Sequence, residues 1–156
     1  KFAFLGPLIG SLFRPVGGWL SDKFTGARVT LVAGIGLIAS SLGVTAFTHP
    51  TNMDSFPYFL AIFLVMFTFT GLLNGSTFRM IDVIKQFTFQ TRGPVLGWVS
   101  AVAAYGAFII PIVFKTAIEN TGAPDVGLYG FGAFYVVSMI ILWYFYLRKS
   151  ALEYGA

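Results

Sequence analysis

The sequence predicts an all-α membrane protein with five transmembrane helices, and three observations predict it. Of its 156 residues, 56% are hydrophobic and only 10% are charged, against about 25% charged in an ordinary soluble domain. Phenylalanine, not neutral polar residues, fills the difference, with 18 copies. Five apolar windows, at about 2–20, 29–47, 57–78, 95–114 and 126–147, approach the roughly 20 residues needed to cross a bilayer. The basic residues gather at alternate window ends. Lys23 and Arg28, then Arg79, Lys85 and Arg92, then Arg148 and Lys149 fall on one side, while Lys1 and Lys115 fall on the other. That bias makes the first side cytoplasmic and puts the C-terminus there. The net charge of +4 is thus an orientation signal and not a nucleic-acid footprint. The chain opens on Lys1, directly inside an apolar segment, which predicts a piece of a longer membrane protein.

The first window carries the residue that asks for explanation. In "LIGSLFRPVGGWLSDK" (8–23), Arg14 lies eight residues before Asp22, about 12 Å up a helix. That is near the middle of a hydrocarbon layer about 30 Å thick. Gly6, Gly10, Arg14 and Gly18 recur every four residues along one slowly drifting face, and Gly17 widens it. Pro15 removes a backbone donor and frees the carbonyl of Ser11, an arrangement tolerated where a helix lines a cavity. A charge at this depth costs about 2.5 to 3.5 kcal/mol on insertion scales. One account is an arginine paired with a buried carboxylate, but the other four windows hold no Asp or Glu at similar depth. The other account is a binding position facing water. Its ligand is then an anion, and the planar guanidinium fork suits planar oxyanions such as nitrate, nitrite, bicarbonate or a carboxylate.

The segment after it, "GWLSDKFTGAR" (18–28), reads as a tight cytoplasmic loop with a charge latch. Asp22 is expected near the amino end of the fourth helix, around Gly93 and Pro94, where the helix dipole favours an anion. A solvated loop that only sets orientation is the alternative. The third window places Gly71, Asn74, Gly75 and Phe78 at helical spacing, so Asn74 either lines a path or makes one interhelical hydrogen bond. Arg79 and Asp82 read as interfacial. The fourth window holds a small-residue stripe of Gly97, Ser100, Ala104 and Ala107, with Pro111 expected to end or kink it. The fifth is apolar on all sides, as a lipid-facing helix is. It ends in Trp143, Tyr144 and Tyr146 beside Arg148 and Lys149, an aromatic belt at the inner interface.

Several classes are excluded. The chain has no cysteine, so disulfides, cysteine-held zinc and thiol chemistry are out. His49, beside Pro50, is the only histidine and reads as a loop residue, not a metal ligand. There is no nucleophile triad, no catalytic carboxylate pair and no phosphate loop, so neither an enzyme nor a cofactor is expected.

"GSLFRPVGGWLSDKFTGARVTL" (10–31) resembles the eighth helix and following loop of the nitrate/nitrite porters of the major facilitator superfamily. "GLLNGSTFRMIDVI" (71–84) is similar to their tenth helix, and "LGWVSAVAAYGAFIIPIVF" (96–114) to the eleventh, which carries a nitrate signature. The resemblance implies most of the C-terminal half-bundle of a twelve-helix fold, helices eight to twelve, with the N-terminal half absent. It implies that Arg14 is the substrate arginine, facing a second arginine from the absent half, and that Ser100 and Gly106 contact substrate. Gly10, Asn74, Gly75, Ala103 and Ala107 become path or packing candidates. Ala103 and Ala107 stand where the signature has more glycines. Gly18, Asp22, Lys23, Gly26 and Arg28 are similar to the short cytoplasmic motif of major facilitators, with one extra residue between Lys23 and Gly26.

The implied function is alternating-access transport of nitrate and nitrite, by exchange, in a bacterial or archaeal cytoplasmic membrane. Its partners are the small anion, the bilayer and the absent half. Proton-coupled symport, or another small anion or carboxylate as substrate, is the alternative within transporters. An anion channel or a membrane-docking subunit is the alternative outside them, and the isolated polar positions and lone His49 do not favour either.

Overall fold

A computed structural model describes residues 2, 4–48, 53–84 and 87–148. Lys1, His49, Lys85 and Lys149, read above, lie outside the described residues. The elements are α1 (Leu5–Phe24), α2 (Gly26–Thr45), a short turn of 3-10 helix (Met53–Ser55), α3 (Phe56–Val83), α4 (Phe89–Thr121) and α5 (Asp125–Leu142). The last continues into one π-helical turn, Trp143–Leu147. Four of the five helices are long and apolar enough to cross a membrane. The exception is α1, which is 20 residues long but carries Arg14, Asp22 and Lys23.

Helices overrun the apolar windows because polar ends are satisfied in place. Pro111 does not end α4, which runs ten residues further to Thr121. Gly122 ends it: at φ +76° this residue adopts the left-handed conformation and donates its N–H to the Ile118 carbonyl at 2.9 Å, a cap that glycine takes without strain. The expected loop over 18–28 shrinks to one residue. Gly18 to Phe24 remain in α1, and Gly26 opens α2. Thr25 alone makes the turn, at φ 71°, uncommon for a β-branched residue. Gly26 cannot take over that role, because it is pinned against α3, where a Cβ would lie 2.8 Å from the Cβ of Met80.

Packing follows the small residues. Helices α1 and α3 run parallel and approach backbone to backbone. A Cβ on Gly71 would strike the Gly10 carbonyl oxygen, one on Gly75 the Arg14 carbonyl oxygen, and one on Gly17 the Leu72 carbonyl oxygen. In lipid, such close van der Waals contact replaces the hydrophobic drive that holds helices together in water. The packed glycine face is Gly6, Gly10 and Gly17, with Ser21. Gly18 has been turned off it, since a Cβ there would meet nothing within 4 Å.

Helix α2 runs antiparallel to α3 and is the most buried element, hiding Ala27, Thr30, Ala33, Leu37, Ser41 and Val44 among others. Thr30 and Ser76 share a buried hydrogen bond of 2.8 Å across that seam. Helix α5 packs on the far side of α2, with Met139 filling the space beside Gly34 and Leu142 joining Ala27 and Met80 in a small core. It is therefore not apolar surface all round: Gly127, Leu128, Gly132 and Leu142 are buried. Helix α4 stands off the bundle. Its one buried residue among those described is Ala117, and it meets α5 where the Phe114 and Phe131 rings pack with centres 5.5 Å apart and planes tilted by 35°.

The glycine contacts predict unequal effects of one substitution type. Gly75→Ala forces α1 and α3 apart and should cost about 1 to 3 kcal/mol, as overpacking does. Gly18→Ala should be neutral or stabilising by up to about 1 kcal/mol, because alanine is the better helix former. Thermal melting of the detergent-purified protein checks this, and equal melting temperatures for the two variants would refute the close approach.

Candidate functional site

Arg14 sits at the tenth of twenty positions in α1. Its carbonyl faces Gly75, yet its side chain is exposed. Helical geometry explains both. The α3-facing stripe is centred on Gly10 and Gly17, and Arg14 falls at its edge, so its backbone is clamped while its side chain points aside. Ser11, Arg14, Gly18 and Asp22 are spaced by three, four and four residues, which places them on one face. The three with polar side chains are all exposed. Helix α1 thus has two functions on two faces, a glycine seam toward α3 and a polar stripe beside it. The four-residue recurrence of Gly6, Gly10, Arg14 and Gly18 therefore spans two faces and not one.

Among the described residues, Arg14 has no ion pair. The nearest charge on its own stripe, Asp22, is already taken. Arg79 of α3 donates from Nε to Asp22 at 2.5 Å and from Nη1 to Asp82 at 2.8 Å. Asp22 therefore does not engage the amino end of α4 at Gly93 and Pro94. The cause is position, because parallel packing brings Asp22 level with Arg79. Sequence reading missed this pair, although its signal was present as opposite charges one turn inside the same ends of two helices that run in the same direction. Lys23 is also occupied, its Nζ lying 4.0 Å from the centre of the Trp19 ring, a cation–π contact.

The other expected site residues separate into groups. Gly10 and Gly75 are packing positions in the α1–α3 seam. Asn74 is half-buried on α3. On α4, Ala103 and Ala107 are exposed and Gly106 is half-buried. Ser100 is exposed and donates to the Leu96 carbonyl at 2.7 Å. Helices α1 and α4 do not touch, so the structure does not bring Ser100 or Gly106 together with Arg14. Gly18, Asp22, Lys23, Gly26 and Arg28 do collect at one end of the bundle, but as two helix ends joined at Thr25. Among the described residues, no group of three or more His, Cys, Asp or Glu could hold a metal ion.

Long apolar helices, small-residue seams and one charged position partway along a helix define a multi-pass helical membrane protein. No family model matches the chain. It is 42% identical over 151 residues to a protein of Thermus thermophilus named probable nitrate/nitrite antiporter NarK2, covering 97% of this chain and 34% of that relative. It is 36% identical over 169 residues to the nitrate/nitrite transporter NarU of Escherichia coli (strain K12), covering 96% of this chain and 37% of the relative. A nitrite extrusion protein of Bacillus subtilis (strain 168) is 24% identical, over 90% of this chain and 33% of the relative. The chain spans about a third of the length of the curated relatives it matches. Along nearly its whole length it is similar to proteins named as nitrate/nitrite transporters and antiporters.

The Asp22–Arg79 bond makes a measurable claim. Both side chains are about half exposed, 52% and 41%, so a coupling of about 0.5 to 1 kcal/mol is expected. A double-mutant cycle with Asp22→Asn and Arg79→Gln, read by thermal or denaturant stability, should return it. Strict additivity would instead return Asp22 to the α4 terminus.

Proposed function

We propose that this chain is the helix-eight-to-twelve portion of a transporter that carries nitrate and nitrite by alternating access, and that Arg14 is its anion-binding residue. One observation carries the reading: an exposed arginine without an ion pair among the described residues, midway along a clamped helix, in a chain homologous to nitrate/nitrite porters. An uncompensated cation at that depth is unfavourable in lipid. Water and a bound anion offset it, and the guanidinium fork meets the planar anion edge-on with two hydrogen bonds.

In this reading the polar stripe of α1 lines the substrate path. The N-terminal half of the transporter supplies the opposite wall, including a second arginine, and Ser100 and Gly106 of α4 close the cavity from the side. Positive charge on both walls holds the empty site open, and a bound anion permits the halves to close around it. That logic gives exchange of nitrate for nitrite. It is supported by the word antiporter in the name of the Thermus thermophilus relative, and by the described carboxylates lying at or beyond helix ends: Asp22, Asp54, Asp82, Glu119 and Asp125. The end that gathers Lys23, Arg28, Arg79, Arg92 and Arg148 is cytoplasmic, as is the C-terminus, in a bacterial or archaeal cytoplasmic membrane.

Liposomes loaded with nitrite and containing the full-length protein provide the test. Nitrate uptake should require internal nitrite and ignore a proton gradient. Arg14→Lys keeps the charge but loses the fork, and should lower exchange roughly ten- to hundredfold, the equivalent of one charged hydrogen bond at about 1.5 to 3 kcal/mol. Normal exchange by the lysine variant would remove Arg14 from the site. Uptake that follows the proton gradient would make the protein a symporter.

A further inference from the structure

Arg28, the third residue of α2, is exposed and has no ion pair among the described residues. It closes one end of a groove of about 350 Å³. The walls are Leu20 and Phe24 of α1, Val32 and Ala33 of α2, and Phe69 and Leu72 of α3. Among the described residues, Arg28 is the only charged side chain that lines the groove. Leu20 follows Arg14 by six residues, which at 3.6 residues per turn places them about 120° apart around α1. The groove and the polar stripe therefore lie on opposite sides of the α1–α3 seam, and Arg28 does not serve the site that Arg14 serves.

The groove's position indicates its occupant. Helices α2 and α3 are long and apolar enough to cross the membrane, and the groove runs between them beside the end of α1. Its length is apolar. Its charged end is the α1–α2 turn, where Lys23 stands over Trp19, and where Trp19 and Phe24 are exposed. Tryptophan beside a basic residue is the composition of the headgroup level. An apolar slot below a free guanidinium complements a molecule with an acyl chain and an anionic phosphate.

We propose that this groove binds one anionic phospholipid, with an acyl chain along Leu20, Phe69 and Leu72 and its phosphate on Arg28. Native mass spectrometry of the full-length protein, incubated with equal amounts of phosphatidylglycerol and phosphatidylcholine, tests it. The wild type should retain phosphatidylglycerol in preference. Arg28→Gln should lower that retention about fivefold, the effect expected of one basic residue at an anionic surface, and leave phosphatidylcholine unchanged. Val32→Trp, at a position already 66% exposed, fills the groove without burying anything new and should lower retention of both lipids. Arg92→Gln, a cation away from the groove, should change neither. Equal retention of the two lipids by the wild type would overturn the proposal. So would unchanged phosphatidylglycerol on Arg28→Gln, unchanged retention on Val32→Trp, or displacement by inorganic phosphate alone, which would make Arg28 a simple phosphate contact.

Discussion

The backbone contact between α1 and α3 is the constraint on which the rest of this structure depends. Where Gly75 meets the Arg14 carbonyl and Gly71 meets the Gly10 carbonyl, no side chain separates the helices. That fixes the rotation of α1 about its own axis. Rotation decides which residues face α3 and which turn aside, and so it sets the direction of the Arg14 side chain. The same contact aligns Asp22 with Arg79 and leaves the groove of Leu20, Phe69 and Leu72 on the other flank. One seam positions a single cation in the span, pairs Asp22 with Arg79 at the helix ends, and separates the polar stripe from the apolar groove.

Much of this was legible in the sequence because the bilayer enforces simple rules. Helix number and polarity of the ends came from the apolar windows and from the placement of Lys and Arg. The isolation of Arg14 was legible because a charge in a glycine-rich apolar run has few innocuous accounts. What was not legible depended on rotation and register between helices. The four-residue recurrence of Gly6, Gly10, Arg14 and Gly18 reads as one face, yet the packed face is Gly6, Gly10 and Gly17, because a straight helix drifts by 40° every four residues. Asp22 reads equally well as a partner for a helix dipole or for an arginine, and only the parallel alignment with α3 decides. The breadth of the α5 seam was hidden because Gly34, which receives Met139, lies about a hundred residues away in sequence. Of the two expectations for Pro111, an end or a kink, the structure excludes the end: proline in a long apolar helix removes one hydrogen bond and does not stop the helix. For Ser100 and Gly106 the sequence offered a family likeness but no geometry, and α4 stands apart from α1 in the structure.

The two cationic positions differ in what surrounds them, and that difference separates their chemistry. Arg14 is flanked by Ser11 and Gly18 and sits far from either helix end, where a small planar anion can be enclosed. Arg28 opens α2 above an apolar slot, where a molecule with a long tail is held from one end only. Both are guanidinium groups with donors to spare. In the proposed reading, depth in the membrane and the walls beside each group decide which kind of anion suits it.

The composition of α1 has a consequence for how the chain enters the membrane. Of the five helices it alone falls short of the length and apolarity that secure a span, and its extensive contacts are with α3, which emerges from the ribosome later. Its stable residence in lipid is therefore expected to depend on a segment synthesised after it. Until α3 arrives, α1 depends on the α1–α2 hairpin made at Thr25, whose single-residue turn holds it next to a helix that inserts unaided. A hydropathy count would find four spans and put both ends of the described chain on one side, whereas five put them on opposite sides. The glycines that clamp α1 to α3 thereby bear on topology as well as on packing, and a substitution at Gly71 or Gly75 is expected to act on how α1 inserts.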